Sequence, residues 1–141
     1  MKYELLLSHG LIAQGLGNAL SMLAGERDDV IAVGLENGKS AEQFAQIFAD
    51  AISKITADDE IILLGDIIGG SPLTTAMNVI TGKGFMKNTT VIGGMNLPLA
   101  LTTVLMKDAF DRETLTAQVL SEAAESLKEF KVASEETDDE I

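Results

Sequence analysis

Short apolar runs alternate, four times over, with longer segments whose apolar residues recur at helical spacing, and this alternation constrains the fold more than any other feature of the sequence. Residues 3–8 (Tyr-Glu-Leu-Leu-Leu-Ser) read as a buried strand that stops at His9-Gly10. Leu11, Ile12, Leu16, Ala19, Leu20 and Leu23 then mark a helix that ends at Gly25. Gly15 and Gly17 each cost that helix roughly 1 kcal/mol, so close packing on the sheet is expected to compensate. Residues 30–35 are a second strand and Asn37-Gly38 a turn. Ser40 caps a helix with the stripe Phe44, Ile47, Phe48, Ala51, Ile52 and Ile55. Residues 61–65 form the third and most apolar strand, followed by a loop from Asp66 to Ser71. Ser71 is expected as the N-cap and Pro72 as the first residue of a helix that runs to about residue 81. Residues 90–93 are a fourth strand, Pro98 opens a helix through Leu105, and residues 114–127 are a last helical stretch.

Strands joined through helices run parallel, and such crossovers are right-handed almost always. The expected fold is therefore α/β: a doubly wound, mainly parallel four-stranded sheet in the order 2-1-3-4, with helices on both faces. A chain of 141 residues makes one domain, placed here at residues 1–133. Residues 128–133 (Lys-Glu-Phe-Lys-Val-Ala) are a candidate for an extra C-terminal edge strand. Residues 134–141 hold five acids and no base, lack apolar periodicity, and are expected to be a disordered, solvated tail.

Composition removes several classes of function. There is no cysteine, hence no disulfide, thiolate nucleophile or zinc–thiolate site, and a reducing cytoplasm is the expected compartment. Only three leucines precede polar Ser8, too few for a signal peptide, and no run approaches the ~20 apolar residues that cross a bilayer. The net charge is −12, and residues 1–133 alone carry 17 acids against 10 bases. Nucleic acid and anionic membranes are poor partners for such a surface, whereas a basic protein partner suits it. Asp58-Asp59-Glu60 reads as a solvated turn, with no His or Cys beside it to complete a transition-metal site. No metal or cofactor is expected.

Ligands of doubly wound sheets bind beyond the carboxyl ends of the strands, where the winding reverses. His9, the only histidine, follows strand 1; Asp66-Ile67-Ile68-Gly69-Gly70-Ser71 follows strand 3; Gly93-Gly94-Met95-Asn96 follows strand 4. In the order 2-1-3-4, strands 1 and 3 flank the reversal point, so His9 and Asp66 face each other across it. A carboxylate that accepts the proton of one imidazole nitrogen fixes the tautomer and leaves the other nitrogen a nucleophile toward phosphorus. Gly69 and Gly70 let the backbone approach a phosphoryl group, and Ser71 with the amides of the helix start can bind its oxygens. Each of these features also has a purely structural reading. His9 can be an ordinary strand-end side chain, Asp66 a turn cap, Gly-Gly-Ser-Pro a tight loop before a helix, and Asn96 a helix cap.

In this order and context the three motifs carry a resemblance. The sequence resembles the enzyme IIA components of the mannose class of the bacterial phosphoenolpyruvate-dependent sugar phosphotransferase system. The likeness covers roughly residues 1–130 and rests on Ser8-His9-Gly10, Asp66-Ile67-Ile68-Gly69-Gly70-Ser71-Pro72 and Gly93-Gly94-Met95-Asn96-Leu97-Pro98. The resemblance implies a phosphotransferase acting through a phosphohistidine. His9 would accept a phosphoryl group from the phosphocarrier protein HPr and pass it to a IIB component during sugar uptake. It further implies that Asp66 orients His9, and that Gly69, Gly70 and Ser71 hold the phosphoryl oxygens. No IIB domain follows residue 133, so a separate IIB partner is expected, with the membrane met only through the transporter. Relatives are typically homodimers with a strand packed or exchanged at the interface, a part that residues 128–133 would play. The sugar is not legible, because a IIA component never touches it.

Three other readings remain at this point. The phosphocarrier subunit of dihydroxyacetone kinase resembles this fold and uses a histidine after strand 1, but usually lacks a loop like 69–72. A serine hydrolase built from Ser71, His9 and Asp66 meets the objection that Pro72 removes an oxyanion-hole N–H, and there is no G-x-S-x-G. A receiver-like module phosphorylated on Asp66 would need an acidic pair where Ser8-His9 stands.

Overall fold

Tyr3 through Ser8 are all buried, as a strand covered on both faces requires. They belong to β1 (Lys2–His9), the centre of the sheet in the computed structural model, which describes residues 1–133. Around it stand β2 (Val30–Leu35), β3 (Glu60–Gly65) and β4 (Thr89–Ile92), all parallel and in the order β2-β1-β3-β4. The expected order and direction are both found.

Alternate residues of β1 feed two cores. Tyr3, Leu5 and Leu7 pack with Phe44 and Phe48 of α2 (Ala41–Ala51) and with Leu73, Ala76 and Ile80 of α3 (Ser71–Gly82). On the opposite face Leu6 packs with α1 (Ile12–Ala24), α4 (Leu97–Met106) and α5 (Arg112–Ser126) through Ala13, Leu20, Leu99, Val104 and Val119. Helices thus cover both faces.

Helix starts follow their capping chemistry. The Ser40 hydroxyl accepts from the Gln43 N–H while Gln43 reaches back to the Ser40 N–H. Asn96 Oδ1 accepts from the Leu99 N–H, and Asp111 from the Thr114 N–H. Ser71 departs from expectation. The N-cap of α3 is Gly70, in extended backbone, and Ser71 is the first helical residue with Pro72 second. The glycines of α1 also behave unequally. A Cβ on Gly17 would meet Ala32 at 3.4 Å, whereas Gly15 faces open space, so packing offsets the cost of only one of them. Ile52 and Ile55 fall beyond the end of α2, yet both remain buried in the same core. Within the single chain, residues 128–133 form no strand, and residues 134–141, expected to be a tail, lie outside the described residues.

The end of the sheet opposite His9 holds a buried polar cluster. Glu4 of β1 and Lys107, which follows α4, are both fully buried. Lys107 Nζ bonds Asp29 Oδ2 at 2.5 Å and lies 3.2 Å from Asp108 Oδ2, while Arg27 grips Asp29 through two nitrogens. The Arg27 hydrogen bonds, aided by Lys107 and opposed by partial burial, hold Asp29 well below the usual carboxylate range. Glu4 has no hydrogen-bond partner for either carboxyl oxygen among the described residues. Burial pushes its pKa up to about 9, against the pull of Lys107.

Candidate active site

β1 delivers His9 to the carboxyl edge of the sheet, and three local contacts fix how it leaves. Gly10 takes a positive φ of 56° and its N–H donates to Leu35 O at 2.7 Å. The turn lies so close to β2 that a Cβ on Gly34 would stand 2.0 Å from Gly10 O. Buried Ser8 accepts the Ala13 N–H at 2.7 Å, tying the first turn of α1 to the strand end.

β3 ends alongside. The Asp66 N–H donates to Leu7 O at 3.1 Å, which seats the carboxylate beside the neighbouring strand. A single oxygen, Asp66 Oδ2, accepts the His9 backbone N–H at 2.9 Å and lies 2.8 Å from His9 Nδ1. Asp66 Oδ1 accepts the Ile67 N–H at 2.9 Å. Burial alone would raise the Asp66 pKa, but the hydrogen bonds from His9 and Ile67 outweigh it and hold the group below its ordinary value. An ionised Asp66 leaves Nδ1 as the protonated, donating nitrogen and Nε2 as the lone-pair nitrogen. Nε2 has no hydrogen-bond partner among the described residues, and the His9 side chain is 47% exposed against 13% for Asp66.

The glycine loop closes on the ring. Gly69 has φ 84°, and a Cβ on Gly70 would lie 2.9 Å from His9 Cε1, so the loop backbone runs against the imidazole. Ser71 follows as the exposed first residue of α3, and its hydroxyl makes no hydrogen bond among the described residues. It follows directly on Gly70, and no hydrogen bond ties its hydroxyl to His9.

Two features went unread in the sequence. On the β2 side an open cleft of about 370 Å³ is lined by His9, Gly10 and residues 35–39, so that an acid, Glu36, and a base, Lys39, both border it. The available signal was a base following an Asn-Gly turn at a strand's carboxyl end. The second is an apolar rim: Leu11, Ile12, Ile67 and Ile68 are all exposed and belong to the two segments that carry His9 and Asp66. No group of three His, Cys, Asp or Glu residues that could hold a metal ion is present among the described residues. No helix among them is long and apolar enough to cross a membrane.

Fold and site together define a doubly wound α/β domain with a carboxylate-oriented histidine at the switch point of its sheet. The family model described as PTS system fructose IIA component matches residues 4–120, and the chain belongs to that family of phosphotransferase components. It is 28% identical over 127 residues to the mannose-specific EIIAB component of the phosphotransferase system of Escherichia coli, covering 88% of this chain. The chain spans only 38% of that protein's length. It is 26% identical to the fructose-specific EIIA component of Bacillus subtilis, covering 94% of each. Among solved structures, the IIA protein associated with the fucose utilization operon of Streptococcus pneumoniae superposes with a TM-score of 0.77 at 26% identity. That match covers 91% of this chain and 92% of the other.

Proposed function

We propose that His9 Nε2 accepts a phosphoryl group from phospho-HPr and passes it to a IIB component in the course of sugar uptake. The observation that carries this reading is the pairing of His9 Nδ1 with partly buried Asp66 at 2.8 Å while Nε2 stays open on a half-exposed ring. In the forward step the Nε2 lone pair attacks phosphorus, a new N–P bond forms, and the N–P bond to the donor's imidazole breaks with its electrons on that imidazole. Asp66 keeps the Nδ1 proton in place and offsets the positive charge that grows on the ring as the bond forms. The phosphoryl oxygens are held by Ser71, by the amides along Gly69 and Gly70, and by the helix start that follows. Positioning and charge stabilisation are most of what phosphoryl transfer requires. No cofactor takes part, and the reaction belongs to the cytoplasm, where the donor is regenerated from phosphoenolpyruvate. The relatives carry the names of mannose and fructose, and the solved structure that of a fucose operon. That spread suits a carrier whose site contacts a phosphoryl group and two proteins but no sugar.

The serine hydrolase reading loses support at Ser71, whose hydroxyl makes no hydrogen bond to His9. Incubation with phosphoenolpyruvate, enzyme I and HPr should add one phosphoryl group of about 80 Da, acid-labile and base-stable. His9→Ala should add none, and a labelled His9→Ala chain would refute the assignment. Ser71→Ala should slow transfer only modestly, since a neutral hydrogen bond is worth roughly 0.5–1.5 kcal/mol and the amides remain. Complete loss of acceptance, or covalent labelling of Ser71 by a fluorophosphonate, would favour the hydrolase instead.

A further inference from the structure

The turn Gly93-Gly94-Met95-Asn96 is the motif to which the proposed chemistry gives no task. Met95 packs into the core of the α1, α4 and α5 face, Asn96 caps α4, and two further contacts reach the end of β3 and the loop after it. The Met95 N–H donates to Gly65 O at 2.9 Å, one residue before Asp66. A Cβ built on Gly93 would lie 2.2 Å from Ile68 Cγ1, 2.9 Å from Ile68 Cδ1 and 3.3 Å from the Ile68 backbone nitrogen. A Cβ there would have to turn the Ile68 side chain aside and would press on its backbone nitrogen. Gly93 is not among the positive-φ glycines, so the demand is for space and not for a left-handed backbone. Ile68 is itself 82% exposed, so burial of its side chain does not explain its seat on Gly93. The residues on either side of Ile68 serve the His9 site. One neighbour, Ile67, donates its N–H to Asp66, and two residues further on Gly70 backs onto His9.

We infer that Gly93 is a positioning residue. By leaving room for Ile68 it lets residues 66–70 lie against the end of β4, which keeps Asp66 and Gly70 in place around the His9 imidazole. The inference rests on the reading of His9 as phosphoryl acceptor only where rates are concerned; the geometry of the pair can be measured without any transfer.

The test uses the full chain with Gly93→Ala. Transfer from phospho-HPr should fall about 10–100-fold, the scale expected when the partner that orients a functional group is disturbed. Because His9 is the only histidine, the imidazole ¹⁵N spectrum is unambiguous, and the variant should lose the signature of an Asp66-bonded Nδ1–H. Adding Ile68→Ala removes Cγ1 and Cδ1, and should restore both rate and spectrum, while Ile68→Ala alone should leave the spectrum unchanged. A Gly93→Ala chain with the parent spectrum would overturn the inference, as would a perturbed spectrum that Ile68→Ala does not restore. If Gly93→Ala does not fold, the double variant decides: recovery of fold and spectrum supports the inference, and failure to recover overturns it. A parent chain that takes no phosphoryl group from HPr would remove the proposed function and leave the spectral comparison to judge Gly93.

Discussion

Asp66 serves two donors with one oxygen, and both belong to His9: the backbone N–H and Nδ1. The carboxylate therefore fixes the strand end and the ring together. Replacing it by Asn keeps an acceptor but removes the charge that supports a positive imidazole, so Asp66→Asn should transfer about 10–100-fold more slowly in rapid-quench assays. The sign of its pH effect follows from a depressed pKa. Asp66 contributes stability above the ordinary carboxylate pKa, and that contribution is lost as pH falls through the folded value. Thermal melts of parent and Asp66→Asn should therefore converge below about pH 4. His9 and Asp66 were legible because each is the polar residue that ends an apolar run. The cap of α3 was not, since Gly70 and Ser71 both suit the position and only the observed backbone decides between them. Gly34 and Lys39 were hidden for another reason. Gly34 meets the His9 turn through the register of β1 with β2, in which Ser8 stands opposite Gly34 and His9 opposite Leu35, and Lys39 lines the same cleft as His9.

At the scale of the element, β1 carries the Asp66-paired histidine at one end and an orphaned acid at the other. Glu4 has its folded pKa raised to about 9 by burial, so it binds a proton in the native state that the unfolded chain has released. Its contribution is most favourable below pH 4.5 and is lost progressively as pH rises to about 9. Glu4→Leu removes this dependence and leaves Lys107 bonded to Asp29. It should raise the melting temperature at pH 8 by about 3 °C or more, with a smaller gain at pH 5; an equal gain at both would refute the linkage. The sequence run Tyr-Glu-Leu-Leu-Leu-Ser marked a strand without revealing this, because alternation alone does not say that the Glu4 face is covered by α4 and α5. Helix ends were legible where capping chemistry is local, as at Ser40 and Asn96. They were less so at Ile52 and Ile55, where an apolar stripe outlasts the helix and still feeds the core.

For the whole molecule, the order β2-β1-β3-β4 was legible because parallel strands with right-handed crossovers leave few arrangements. The quaternary state lies beyond a single chain, although residues 128–133 were marked in the sequence as a candidate edge strand. We propose that residues 128–133 supply that strand in a homodimer. Leu127, Phe130 and Val132 are each more than three-quarters exposed in the single chain, and β4 has a free edge. Sedimentation should give a dimer for the parent chain and a monomer for Phe130→Asp with Val132→Asp. A monomeric parent, or a double variant that stays dimeric, would end the proposal. A chain that stops at Ala133 should melt within a few degrees of the parent, because residues 134–141 offer an acidic run with no apolar periodicity to bury.

The central place of β1 has a consequence for how the molecule comes into being. It leaves the ribosome before the other three strands of the sheet and needs neighbours on both sides, yet Asp66 follows His9 by 57 residues. At ~5–20 residues per second, that is an interval of seconds in which an apolar strand has an unpaired edge. An unpaired edge in this interval is a template for wrong pairing. The same separation means that no amino-terminal fragment short of Asp66 can assemble the His9 pair. The His9–Asp66 pair therefore exists only once β3 has docked against β1.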